Sequence, residues 1–220
     1  MTTETEETTF PSRDGLNLQA AIDVPPGEVR AVLVLCHPHP KMGGTMTAPL
    51  LLAVRDELAS RRVAVVRFNF RGIGESEGDS STGIEEMKDA GGAIDLARAR
   101  WPKLPLAIGG WSFGAAVAVR VASREQGLFA CVAVAPPAEP EPEVTEGLPD
   151  PSQLPADLPV LVVIGERDDI IDIESCREWV EQTHAELVTM RGANHFFWAQ
   201  YEPLAAGVAD FLDESLAAGS

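Results

Sequence analysis

Two rhythms of apolar residues run along the chain. Short apolar runs bounded by turn residues read as strands, and the longest of them read as strands buried on both faces. Arg30–His37 (RAVLVLCH) and Arg62–Phe70 (RVAVVRFNF) are of this kind, followed by Leu104–Gly110, the stretch LFACVAVAPP, and Pro159–Glu166. The segment LNLQAAIDVP alternates like a half-exposed strand, and AELVTMRG is a further short strand. Between them come segments with helical spacing: Ala48–Ser60, Ile84–Trp101, Phe113–Ser123, Ile173–Thr183 and Pro203–Ala218. In Ile84–Trp101 the acids come early and the arginines late, which suits the helix macrodipole.

Strands alternating with helices predict βαβ units, hence an α/β protein with a mostly parallel central sheet and helices on both faces. One segment breaks the alternation. Pro136–Pro159 is dense in proline and acid and has no apolar period. It reads as a surface excursion too short to fold by itself. Residues 1–9 read as a disordered tail and residues 10–220 as one domain, a size that carries a substantial core.

Composition narrows the function. A formal net charge of −17 repels phosphate backbones and anionic lipid, so neither nucleic acid nor a membrane surface is expected as a partner. The first residues, MTTETEETTF, lack the basic start and apolar run of a secretion signal. The three cysteines, Cys36, Cys131 and Cys176, lack metal-site spacing, and their odd number suits free thiols in a reducing cytoplasm.

The pattern G-x-S-x-G occurs twice, around Ser76 (GESEG) and around Ser112 (GWSFG). A nucleophile elbow needs a strand, a sharp turn and then a helix whose first N–H groups face the developing oxyanion. Ser112 follows a buried strand and precedes an alanine-rich apolar helix. Ser76 is followed by the polar loop EGDSSTG and lies between Glu75 and Glu77, whose charge opposes an oxyanion. Ser76 therefore reads as a turn serine. A helix-capping serine is the competing reading for Ser112.

A seryl hydroxyl needs a histidine base, and the histidine needs an acid; on this scaffold they follow in the order Ser, acid, His. Only His184 and His195 come after Ser112. His184 sits near a helix end and reads as a surface residue. His195, in the loop of MRGANHFFW, reads as the base. The strand end VLVVIGERDDI offers Glu166, Asp168 and Asp169; Asp168 is best placed, and Asp169 is the runner-up. For the oxyanion, one N–H is expected from Phe113 and one from CHPHPKMGGTM. Pro38 and Pro40 have no N–H, which leaves His39, through its main chain. His37 and His39 could form an H-x-H metal pair, but no third ligand is evident, so no metal and no other cofactor is expected. The run Gly72-Ile73-Gly74 begins a G-x-G-x-x-G motif, but its sixth position is Glu77 and no helix follows, which argues against a nucleotide. Candidate pocket walls are Met42, Met46, Trp111, Phe113, Phe196 and Phe197.

Together CHPHPKMGGTM, FNFRGIGESEG, GGWSFGAA, IGERDDII and GANHFFW, in this order, resemble the α/β-hydrolase superfamily, and within it small bacterial serine hydrolases with an HPHP loop. The resemblance implies the α/β-hydrolase fold, with Ser112, Asp168 and His195 as nucleophile, acid and base. It also implies that the segment around Ser76 is a structural loop. Many relatives carry a helical cap where this chain has only Pro136–Pro159, so an open site without a substantial cap domain is expected. The expected substrate is a small or accessible carboxylic ester. A thioesterase or peptidase with the same triad, and a non-catalytic binding protein on this scaffold, are the alternatives.

Overall fold

The computed structural model describes residues 3–219. Eight strands form one sheet in the order β1-β2-β4-β3-β5-β6-β7-β8. They are β1 (Glu4–Pro11), β2 (Asn17–Val24), β3 (Ala31–Cys36), β4 (Val63–Phe68), β5 (Leu106–Trp111), β6 (Leu128–Val134), β7 (Val160–Gly165) and β8 (Glu186–Met190). β1 pairs antiparallel with β2, and β2 antiparallel with β4; every later pairing is parallel. Five helices complete the fold: α1 (Pro49–Ser60), α2 (Glu86–Arg100), α3 (Phe113–Ala122), α4 (Ile173–Glu181) and α5 (Tyr201–Ala218).

The continuous apolar runs follow from burial on both faces. In β3, Val32, Val34 and Cys36 join one core layer with residues of α2, α3 and α4. Their neighbours Ala31, Leu33 and Leu35 join the opposite layer with α1 and α5. With both pleat directions covered, β3 carries no polar residue, and the buried Arg67 of β4 is paired with Asp23 of β2 at 2.7 Å.

From Glu4 onward the expected disordered tail of residues 1–9 is instead an ordered strand. Glu4–Pro11 is strand β1, registered on β2 from Glu4 opposite Val24 to Pro11 opposite Asn17, while residues 1 and 2 lie outside the described residues. Most of its side chains face solvent and only Phe10 is buried. A strand held by its backbone ladder, with little to bury, shows no apolar alternation. Its row of glutamates suits an outer edge that must not pair with another chain.

The polar loop after β4 is wired to the body by buried side chains. Asp89 accepts from the Arg71 N–H at 2.9 Å and from its guanidinium. Glu86 accepts from Ser81 N and Gly83 N at 2.6 and 3.0 Å. The early acids of α2 thus serve the preceding loop as well as the helix dipole. Residues 135–159, between β6 and β7, hold one 3-10 turn (Pro151–Gln153) and no cap domain. This excursion is fastened down: Arg120 donates to the carbonyl oxygens of Glu146 and Gly147, and Trp179 Nε1 to that of Pro149 at 2.7 Å.

Chain direction across the sheet reverses between β3 and β5. From β3 the chain passes through α1 to β4 on one side; from β5 it passes through α3 to β6 on the other. The crevice at the carboxyl ends of β3 and β5 is where such sheets bind ligands. Pro38, His39 and Ser112 line that crevice.

Candidate active site

Ser112 is the single residue between β5 and α3, with φ 56° and ψ −123°. Two glycines allow this turn. A Cβ at Gly110 would lie 2.3 Å from the Gly114 carbonyl oxygen, and one at Gly114 would lie 2.3 Å from that of His37. The G-x-S-x-G spacing is therefore a packing requirement. Ser112 occupies the N-cap position, yet its side chain makes no capping bond. Its hydroxyl lies 3.0 Å from His195 Nε2 instead. The capping reading is thereby replaced.

His195 Nδ1 lies 2.8 Å from Asp168 Oδ2. The other carboxylate oxygen, Oδ1, accepts from the N–H groups of Ile170 and Ile171 at 3.0 and 3.1 Å. Those bonds aim the carboxylate. They place the hydrogen of His195 on Nδ1, leaving Nε2 as an acceptor for the seryl proton. The Asp168 side chain is fully buried and that of His195 is 5% exposed, while Asp169 and Glu166 are exposed. Glu166 accepts instead from Gly192 N at 2.7 Å. Trp111 Nε1 donates to the His195 carbonyl oxygen at 3.2 Å and steadies the loop.

Ser76 is occupied elsewhere. It donates to the Asn69 carbonyl oxygen at 2.7 Å and accepts from Gln19 N at 3.0 Å, which joins the loop to β2. The histidines of the HPHP loop are also committed. His37 is fully buried; its Nδ1 donates to the Pro38 carbonyl oxygen at 2.7 Å and its Nε2 accepts from Phe70 N at 3.0 Å. Burial lowers its pKa to about 4. His39 Nδ1 accepts from Lys41 N at 3.1 Å, so its hydrogen is on Nε2, which donates to Val144 O at 3.2 Å. Burial lowers its pKa as well. All four ring nitrogens are used, so the pair offers nothing to a metal. Among the described residues no cluster of three or more metal-ligating side chains exists. The cysteines are free and buried, and burial pushes the thiols of Cys131 and Cys176 up to about 12, far from a nucleophilic thiolate. His184 is exposed, and its Nε2 lies 2.8 Å from Leu158 O, at the base of the excursion.

The backbone N–H groups of Phe113 and His39 have no acceptor among the described residues. Both residues line the cleft with Ser112, which suits the pair to an anionic oxygen. The cleft has two lobes that meet at Ser112, His39, Met42 and Ile170. One, of about 290 Å³, runs from Phe113 under the excursion. The other, of about 490 Å³, runs past Trp111, His195 and Phe196.

Four expected pocket residues, Met42, Trp111, Phe113 and Phe196, do line the cleft. Met46 and Phe197 do not. Met46 is buried, with its N–H held by Asn69 Oδ1 at 2.9 Å and its carbonyl oxygen by Arg67 Nη1 at 2.8 Å, which turns the segment into the body. Phe197 is fully buried in the layer of α1 and α5. Sequence reasoning missed Ile170, which lines both lobes, and the excursion residues Pro137–Glu141 and Val144, which wall the smaller one. Ile170 directly follows the acid-bearing strand end and could have been suspected from that place alone.

Among the described residues no helix is long and apolar enough to cross a membrane. The chain is similar to a putative α/β hydrolase of unknown function from Agrobacterium tumefaciens, with 25% identity and a TM-score of 0.84 over 97% of each chain. It is 29% identical to an α/β serine hydrolase homologue from Coxiella burnetii, covering 93% of this chain and 96% of the other, with a TM-score of 0.82. A serine hydrolase without a lid from Xanthomonas campestris gives 29% identity and a TM-score of 0.82 over 97% and 96%. Residues 27–154 match the family model described as serine aminopeptidase, S33. That match spans more than half of the sequence, and the chain belongs to this hydrolase family of the α/β-hydrolase superfamily.

Proposed function

We infer that the protein hydrolyses carboxylic esters through an acyl-enzyme formed on Ser112. The observation that carries this reading is the run of hydrogen bonds from Asp168 through His195 to Ser112, at 2.8 and 3.0 Å, beneath an open cleft. As Ser112 Oγ bonds to the carbonyl carbon, His195 Nε2 takes the seryl proton, and Asp168 stabilises the imidazolium. The oxyanion accepts from Phe113 N–H and His39 N–H. When the intermediate collapses, the bond to the leaving oxygen breaks and His195 returns its proton to that oxygen. Water, deprotonated by His195, then releases the acid and restores Ser112. No step calls for a metal or organic cofactor. The free buried cysteines fit a reducing cytoplasm.

A peptidase reading has its own support in the family description and in Glu139, Glu141 and Asp172, which line the smaller lobe and suit a substrate amino group. Hydrolysis of p-nitrophenyl acetate set against amino-acid p-nitroanilides decides between the two. The ester reading expects ester turnover and fluorophosphonate labelling that persist in Ser76→Ala and vanish in Ser112→Ala. Turnover of the anilides alone would replace it with the peptidase reading.

A further inference from the structure

We propose that the larger lobe is the leaving-group site and is built for a bulky, neutral, aromatic alcohol, while the smaller lobe takes a short acyl group without negative charge. This rests on the ester-hydrolase reading and adds the direction in which substrate lies.

Direction follows from the proton. The leaving oxygen must receive it from His195 Nε2, so the alcohol portion lies on the side of His195, which lines only the larger lobe. The carbonyl oxygen turns toward the N–H of Phe113, which lines only the smaller lobe. The acyl chain therefore runs under the excursion, along Ala138 and Val144.

The chemistry of the two lobes differs. The chain carries 34 acidic residues, yet no Asp, Glu, Lys or Arg lines the larger lobe. A charged alcohol would lose its hydration there without a partner. Its aromatic rings form a continuous series. Phe196 meets Trp111 edge-on with centroids 6.2 Å apart, and meets His195 edge-on at 5.6 Å. Outside the lobe, Trp198 extends the series by stacking on the wall residue Phe196 at 5.0 Å with 12° between the planes, and it is 65% exposed. Met42 and Ile170 at the waist are 77% and 53% exposed. Large side chains left in water around one cleft mark a binding surface, and a ring entering beside Phe196 finds aromatic edges and faces already positioned. The smaller lobe carries Glu139, Glu141 and Asp172 and no Lys or Arg, so it disfavours an acyl carboxylate.

Two ester series test this. The first compares phenyl with 2-naphthyl acetate, whose leaving groups have similar acidity. The second lengthens the acyl chain of phenyl esters from acetate to octanoate. The naphthyl-to-phenyl ratio of kcat/KM is expected to be at least about fivefold and to fall toward unity in Phe196→Ala and in the exposed, fold-safe Trp198→Ala. Val144→Trp is expected to shorten the tolerated acyl chain and to leave that ratio alone. If Phe196→Ala and Trp198→Ala reshape the acyl series instead, the assignment of the lobes is overturned while the ester reading stands. Calorimetric binding of 2-naphthol to the Ser112→Ala protein gives a readout free of turnover, and Phe196→Ala in that background should weaken it about fivefold. Naphthol binding that Phe196→Ala leaves unchanged overturns the aromatic site. Binding that it weakens, in a protein inert toward esters, keeps the site and overturns only the ester reading.

Discussion

Two serines share one G-x-S-x-G frame and differ in what their hydroxyls touch. Ser76 Oγ is spent on Asn69 and Gln19; Ser112 Oγ faces His195. Ser112→Ala is expected to lower kcat by roughly 10⁵-fold or more without unfolding the chain. Asp168→Asn should lower it by roughly 10⁴-fold, because the amide cannot hold His195 in the required tautomer. Steady-state ester hydrolysis measures both, and a drop below tenfold in either would remove that residue from the chemistry. His37 gives a pH prediction. Burial holds its folded pKa at about 4, against an ordinary 6.5. Between those values the unfolded chain takes up a proton that the folded chain refuses. Stability therefore falls as pH drops from 6.5 toward 4, by up to roughly 3 kcal/mol from this group. Urea unfolding at pH 7 and pH 5 should show a smaller loss in His37→Gln than in wild type; equal losses would discount the effect.

At the scale of elements, β1 is the piece to remove. Deleting residues 1–11 takes away the buried Phe10 and bares the hydrogen-bonding edge of β2, where Ala20, Ala21 and Ile22 are buried. Aggregation and a loss of about 3 kcal/mol or more are expected, read by light scattering and urea midpoint. An undisturbed midpoint would reduce β1 to decoration. The same strand shows what sequence leaves hidden. Parallel strands such as β3 and β7 were legible because both pleat faces are buried, and the elbow because Gly110 and Gly114 admit no Cβ. β1 was not legible, because its hold on the fold is a backbone ladder and its side chains are polar. The excursion was legible as a surface segment without a cap, but not its anchoring: prolines and acids speak of solvent and say nothing of the backbone carbonyls at residues 146–149 that fasten it as a wall of the cleft. Apolar identity alone told that Met46 and Phe197 pack; it did not tell in which direction.

For the whole molecule the governing quantity is the net charge of −17. An anionic ester approaches against this field, which salt screens over about 8 Å at physiological ionic strength. The kcat/KM for phenyl hydrogen succinate should therefore rise severalfold between 10 mM and 500 mM NaCl, with phenyl acetate nearly flat. Parallel slopes for the two substrates would show that the field does not reach the cleft.

This fold would be more stable with glycine in place of the serine at its sharpest turn. The φ of 56° and ψ of −123° at Ser112 suit glycine and tax any residue with a side chain. Ser112→Gly should raise the melting temperature by a few degrees, the return of roughly 1–2 kcal/mol of stored strain, while abolishing turnover. On the proposed ester chemistry, selection for robustness and selection for turnover pull in opposite directions at this one position. A chain drifting free of its chemistry would be expected to lose the serine early, and to gain thermal endurance as it did.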